Sequence, residues 1–116
     1  MPDIREVVPT GRVFLLDMTK EEASALLWAA EEGDIPEIDL HGMKVMEVRH
    51  ALETFLHHTY LQGESVARIV HGRGDGVLRQ EVHKVLSQTD FIDQFQDATH
   101  PALSGAVTVA LFCPLK

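Results

Sequence analysis

Two short segments hold residue types suited to chemistry on an anion. They are Asp39-Leu40-His41-Gly42 and His71-Gly72-Arg73-Gly74-Asp75-Gly76-Val77-Leu78-Arg79. Asp39 and His41 are two residues apart, so on a strand their side chains leave from the same side and can address one substrate. A histidine beside a carboxylate can take and give a proton near neutral pH, because an imidazole's ordinary pKa is about 6.5. The glycines let backbone approach a ligand closely, and the free N–H groups of a following helix turn attract an anion, for which a phosphate is the natural guest. Taken singly, each segment also reads as an ordinary turn with a locally bonded histidine. Two His-Gly elements at matched positions, the second with three alternating glycines and Arg79 opening its helix, are harder to ascribe to turns.

The elements that must present these segments follow from the apolar pattern. Glu37-Ile38-Asp39-Leu40-His41 alternates polar and apolar residues as a strand with one covered face does. Val45, Val48, Leu52, Phe55 and Leu56 make one stripe of a helix that runs from after Gly42 to about Leu61. Val66 to Val70 is a second strand, and Leu78, Val82, Val85 and Leu86 mark the buried face of a second helix. A third strand is weakly signalled between Phe91 and Ala98. Ala106 to Phe112 is apolar on both faces and rich in β-branched residues, as an interior strand is. The order strand, helix, strand, helix, strand, strand predicts an α/β (α+β) fold. Its first crossover is long and right-handed, so its first two strands run parallel. Both chemical segments then emerge at the carboxyl ends of those strands, where open α/β sheets bind ligands.

Residues 1–34 read as an acidic N-terminal extension and residues 35–116 as the main domain. The extension has a possible edge strand, Val13 to Leu16, and one helix at about 20–32. Thr19 and Glu22 form its capping box, and Ala23, Leu26, Leu27 and Ala30 its apolar face. The helix is expected to pack beside the sheet, with Trp28 and the leucines against the domain. The net charge is −8. Residues 1–37 hold nine acids and three bases (−6), and residues 38–116 nine acids and seven bases (−2), so the acidity lies mainly in the first third. That balance argues against a general polyanion binder. Cys113 is the single cysteine, which excludes an intrachain disulfide and fits a reducing, cytoplasmic setting. No apolar run approaches the roughly 20 residues that cross a bilayer. His50, His57 and His58 fall on the polar side of the first long helix, and His83 lies next to a buried stripe.

Ile38-Asp39-Leu40-His41-Gly42 is similar to the Leu-Asp-Leu-His-Gly signature of the Smr (small MutS-related) domain family. The run from His71 to Arg79 resembles that family's second motif, a glycine-rich turn ending in Leu-Arg, and the likeness extends over residues 35 to 113. The resemblance implies a two-layer sandwich, βαβαββ, with a four-stranded mixed sheet like that of the C-terminal domain of translation initiation factor three. It also implies DNA or RNA binding and, for many members, endonuclease activity. The family's Asp and His fall on Asp39 and His41, its glycines on Gly72, Gly74 and Gly76, and its Arg on Arg79. Lys44 stands where the family commonly has a Ser or Thr helix cap, and a lysine there can meet a phosphate instead. Leu103-Ser104-Gly105 replaces a common Gly-Gly pair before the last strand.

The leading expectation is therefore phosphodiester cleavage. His41, held by Asp39, acts as general base or acid, Arg73, Arg79 and the turn amides hold the phosphate, and His71 supplies a second proton-transfer group. No cofactor is required by this scheme. A divalent metal on Asp39, His41 and His71 is its competitor, disfavoured because hard cations want more carboxylate. The glycine run is no dinucleotide fingerprint, since its third glycine comes one residue early. The alternative function is a non-catalytic adaptor on structured RNA, a ribosome or a DNA repair intermediate. A small-molecule phosphohydrolase is a minor third reading.

Overall fold

The computed structural model describes residues 19–114. The expected edge strand Val13 to Leu16 lies outside them. The elements are α1 (Lys20–Ala29), β1 (Glu37–Asp39), α2 (Val45–Leu61), β2 (Val66–Val70), α3 (Val77–Ser87), β3 (Ile92–Asp97) and β4 (Val107–Phe112). The four strands form one mixed sheet in the order β1-β2-β4-β3. β1 and β2 are parallel, with Asp39 opposite Val70, and β4 is antiparallel to both β2 and β3. The α+β class, the parallel first pair and the interior position of the last strand are all as the apolar pattern predicts. β3, weakly signalled, is also irregular in space, with a shift of register between Ile92 and Gln94.

Helices α2 and α3 bury their stripes on one face of the sheet. Val48, Leu52, Leu56, Val82, Val85 and Leu86 meet Leu40, Ala67, Ile69, Ala110 and Phe112 in one continuous core. Strand alternation sends Val66, Val109 and Leu111 to the other face, where Ala23, Leu27 and Ala30 of the α1 segment cover them. This is why β4 is apolar on both sides, and all six of its residues are buried.

Thr19 caps α1 through the expected box, its hydroxyl accepting from the Glu22 amide and its own amide donating to the Glu22 carboxylate. The helix closes at Ala29, short of the predicted end. There the Arg68 guanidinium donates to the carbonyls of Ala30, Glu31 and Gly33, supplying partners for carbonyls that a helix end leaves open. Trp28 does not pack as expected and is 66 % exposed. The spacing of Ala23, Leu27 and Ala30 sets the buried face, and a residue one step past Leu27 is turned about 100° away from it.

Candidate nucleic-acid interface and catalytic site

Asp39 closes β1, and the ladder continues one residue further through the Leu40 amide, which donates to the Val70 carbonyl at 2.7 Å. The chain then turns outward. One carboxylate oxygen of Asp39 accepts from the His41 backbone amide at 3.1 Å and lies 2.6 Å from Nδ1 of the same residue. With Nδ1 protonated and bonded to Asp39, Nε2 keeps its lone pair, and it has no hydrogen-bond partner among the described residues. The bond from the His41 ring holds the Asp39 carboxyl below its ordinary range, with the backbone bond adding to it. An outward-facing basic nitrogen, oriented by a carboxylate, is the arrangement needed for general base catalysis.

The second segment leaves the parallel neighbour β2 at the same edge. His41, Gly42, His71, Gly72, Arg73, Gly74, Asp75, Gly76 and Leu78 line one pocket of about 280 Å³. The two segments thus converge as the topology demands. Gly72 has φ +77°, and a Cβ built on it would lie 3.2 Å from the His41 Cβ. Gly76, at φ +86°, starts α3 in a conformation that costs a side-chain-bearing residue about 1 kcal/mol or more. Gly74 and Leu78 carry backbone amides without a partner among the described residues, a set suited to an oxyanion.

The basic residues sit differently from expectation. Arg73 folds back and donates to the carbonyls of Pro101, Ala102 and Ser104, so it shapes the β3–β4 loop. Arg79 grips both oxygens of Asp97. That pairing raises the Arg79 pKa and holds the Asp97 carboxyl down. Lys44 is exposed at the start of α2, outside the pocket lining, and its amide donates to the Glu47 carboxylate. His71 is 3 % exposed, with Nδ1 3.1 Å from the Gly72 carbonyl and Nε2 2.9 Å from the Thr108 hydroxyl. Both of its nitrogens are therefore engaged inside the protein. Asp39, His41 and His71 do not form a metal-sized cluster; the described group of that kind is His71, His83 and Asp97.

Sequence reasoning missed Asp97, His83, Thr108 and Glu31 as parts of the site's frame. One signal was available. Thr108 is a hydroxyl inside an otherwise apolar interior strand, and a buried hydroxyl needs partners. It finds two, His71 and His83.

With this geometry in view, the comparisons with known proteins are specific. The Smr domain model matches residues 38–112. The chain belongs to the Smr domain family. Over 106 residues the Smr chain is 36 % identical to Endonuclease MutS2 of Pelotomaculum thermopropionicum, covering 91 % of itself and 13 % of that protein. It is 28 % identical over 101 residues to the Endonuclease MutS2 of Halothermothrix orenii, covering 86 % of itself and again 13 % of the relative. The chain thus spans about 13 % of the length of these relatives. The solved Smr domain of Thermus thermophilus MutS2 matches with a TM-score of 0.66 and 31 % identity, over 69 % of this chain and all of that one. YdaL, a stand-alone small MutS-related protein of Escherichia coli, shares the fold at a TM-score of 0.72 and 16 % identity, over 84 % of this chain and 79 % of that one.

Two consequences of the Smr site geometry can be measured. Gly72→Ala would place a methyl group against His41 in a left-handed conformation, so it should cost roughly 1–3 kcal/mol of stability. It should also move the His41 imidazole resonances; an unperturbed His41 with wild-type stability would contradict the close approach.

The second concerns pH. Burial holds His71 and His83 below the ordinary imidazole range, and the Gly72 carbonyl bonded to His71 and the Asp97 carboxylate near both only partly offset this. As pH falls below about 6.5, the unfolded chain takes up protons that the folded one refuses, so stability drops. Asp97, Asp39 and Glu31 are held below the carboxylate range, so the stability they contribute above it is lost as pH falls further. The urea midpoint should therefore fall steadily from pH 7.5 to pH 4; a midpoint that rises over that interval would refute the assignment.

Proposed function

We propose that this Smr protein binds nucleic acid and cleaves its phosphodiester bonds, acting as an endonuclease on DNA or RNA. The observation that carries the reading is the Asp39–His41 pair standing beside the unpaired amides of the glycine-rich turn. A phosphate bound by the amides of Gly74 and Leu78 would lie against His41, whose Nε2 removes a proton from the attacking hydroxyl or water. As the new P–O bond forms, negative charge develops on the phosphoryl oxygens, toward the turn amides and the start of α3, where it is stabilised; the P–O bond to the leaving oxygen then breaks, and that oxygen takes a proton from the His41 imidazolium or from water. Lys44 would contact the flanking phosphate backbone. The name Endonuclease MutS2, borne by relatives that match this chain, supports the same reading.

One observation favours the adaptor instead. Arg73 and Arg79 are both committed within the protein, and the chain carries a net charge of −8, which leaves few cations for tight duplex binding. An adaptor would use the same cleft to dock on structured RNA, a ribosome or a repair intermediate, with the acidic N-terminal part facing a protein. The purified chain should cleave supercoiled plasmid or a structured RNA at low salt, and still do so in excess EDTA if His41 works without a metal. Salt-sensitive binding with no cleavage of either polymer would establish the adaptor.

A further inference from the structure

Beneath the glycine-rich turn runs a chain of polar groups that the cleavage scheme does not use. Arg79 holds the Asp97 carboxylate, and Asp97 Oδ1 lies 3.2 Å from His83 Nε2. That nitrogen is also 3.0 Å from the Thr108 hydroxyl, which in turn lies 2.9 Å from His71 Nε2. His71 Nδ1 is 3.1 Å from the Gly72 carbonyl. Thr108 is fully buried and His71 nearly so.

The proton positions along this chain follow from which groups can only accept. A carbonyl accepts, so His71 must carry its proton on Nδ1 and leave Nε2 as an acceptor. Thr108 owns one hydroxyl proton and must donate it there. Its lone pair then accepts from His83, whose Nε2 must be protonated, and the acceptor-only Asp97 carboxylate demands the same. The two histidines are therefore locked in opposite tautomers. The donor atoms of His71, His83 and Asp97 do lie within 4.8 Å of one another. Arg79 already neutralises that carboxylate, however, and the hydroxyl serves both imidazoles, so the cluster reads as a hydrogen-bond chain and not as a cation's shell.

We infer that this relay sets the orientation of the Gly72–Arg73 peptide, so that the turn presents an N–H and not a carbonyl to a phosphate. The two groups of a trans peptide point in opposite directions. Tying the Gly72 carbonyl inward to His71 turns the Arg73 N–H away from His71, and that amide has no partner among the described residues. Glycine at position 72 leaves the chain free to flip this peptide, and a flipped carbonyl would repel the anion. His71, Thr108 and His83 are then positioning residues, and the inference rests on the reading of the cleft as a phosphodiester site.

Long-range proton–nitrogen NMR of the full chain should find His71 protonated at Nδ1 and His83 at Nε2. Titration with inorganic phosphate should move the Arg73 amide resonance. Thr108→Val removes only the hydroxyl, and should give His71 a mixed tautomer and weaken phosphate binding about tenfold, the worth of roughly one buried hydrogen bond. Thr108→Ser should keep the wild-type tautomers and affinity. An Nε2-protonated His71 in the wild type, an unmoved Arg73 amide, or wild-type phosphate affinity in Thr108→Val would each overturn the relay. Loss of polymer cleavage with these NMR results intact would instead overturn the nuclease reading alone.

Discussion

His41→Ala should lower the rate of phosphodiester cleavage by about 10²–10⁴-fold, the usual contribution of a positioned acid–base group, while leaving nucleic-acid affinity nearly unchanged. The separation of the two effects follows from the geometry, because the amides that would hold the phosphate belong to the glycine-rich turn and not to His41. Asp39→Asn tests the charge beside the ring. Both bonds end on the same oxygen of Asp39, so an asparagine oxygen in that place keeps the Nδ1–H tautomer but lacks the charge that stabilises the imidazolium formed when Nε2 takes a proton. The side chains of His41 and Asp39 are 69 % and 50 % exposed, so water can partly replace the carboxylate and the loss should be smaller than for His41→Ala. Single-turnover cleavage and filter binding on the same samples measure both quantities. A His41→Ala protein that cleaves at the wild-type rate would remove this histidine from the chemistry.

Glu31→Ala should be among the most destabilising single substitutions at a charged residue, at roughly 2–4 kcal/mol. Glu31 follows α1, is 3 % exposed, and accepts from the Thr99 amide, the Thr99 hydroxyl and the His100 amide. Burial pushes its carboxyl up, but these three donors outweigh it and the net shift is downward, so the group stays ionised at neutral pH. Truncation would take the buried acceptor away from three part-buried donors on Thr99 and His100, residues that are otherwise exposed. The loop they belong to is the one whose Pro101, Ala102 and Ser104 carbonyls receive Arg73. The acidic helix, the β3–β4 loop and the glycine-rich turn are thereby linked in series. Urea unfolding of Glu31→Ala should show the stability loss, and nucleic-acid affinity should fall with it. A change below about 0.5 kcal/mol, the range of ordinary surface substitutions, would mean that this carboxylate does not pin the loop. Glu31→Gln should fall between, since it keeps one acceptor oxygen and sets an amide against the remaining donor.

The order of elements, the interior strand Val107–Phe112 and the meeting of Asp39-Leu40-His41-Gly42 with the turn from His71 to Gly76 were legible in the chain. Their signals are local: alternation over a strand, a helical stripe, glycine at a strand end. Parallel pairing then follows from the length of the crossover between β1 and β2. The employment of the charged side chains was not legible in this way. Arg73 and Arg79 stand in the motif as natural phosphate ligands, yet their partners come from Pro101, Ala102, Ser104 and Asp97, residues 18 to 31 positions away. His71 and His83 owe their tautomers to a single hydroxyl on β4. Trp28 is exposed because the helix turns its neighbour Leu27 inward. Periodicity decides which backbone positions share a face; the partner of a long polar side chain depends on which distant atoms the folded sheet brings within about 3 Å of it, and only the tertiary structure decides that.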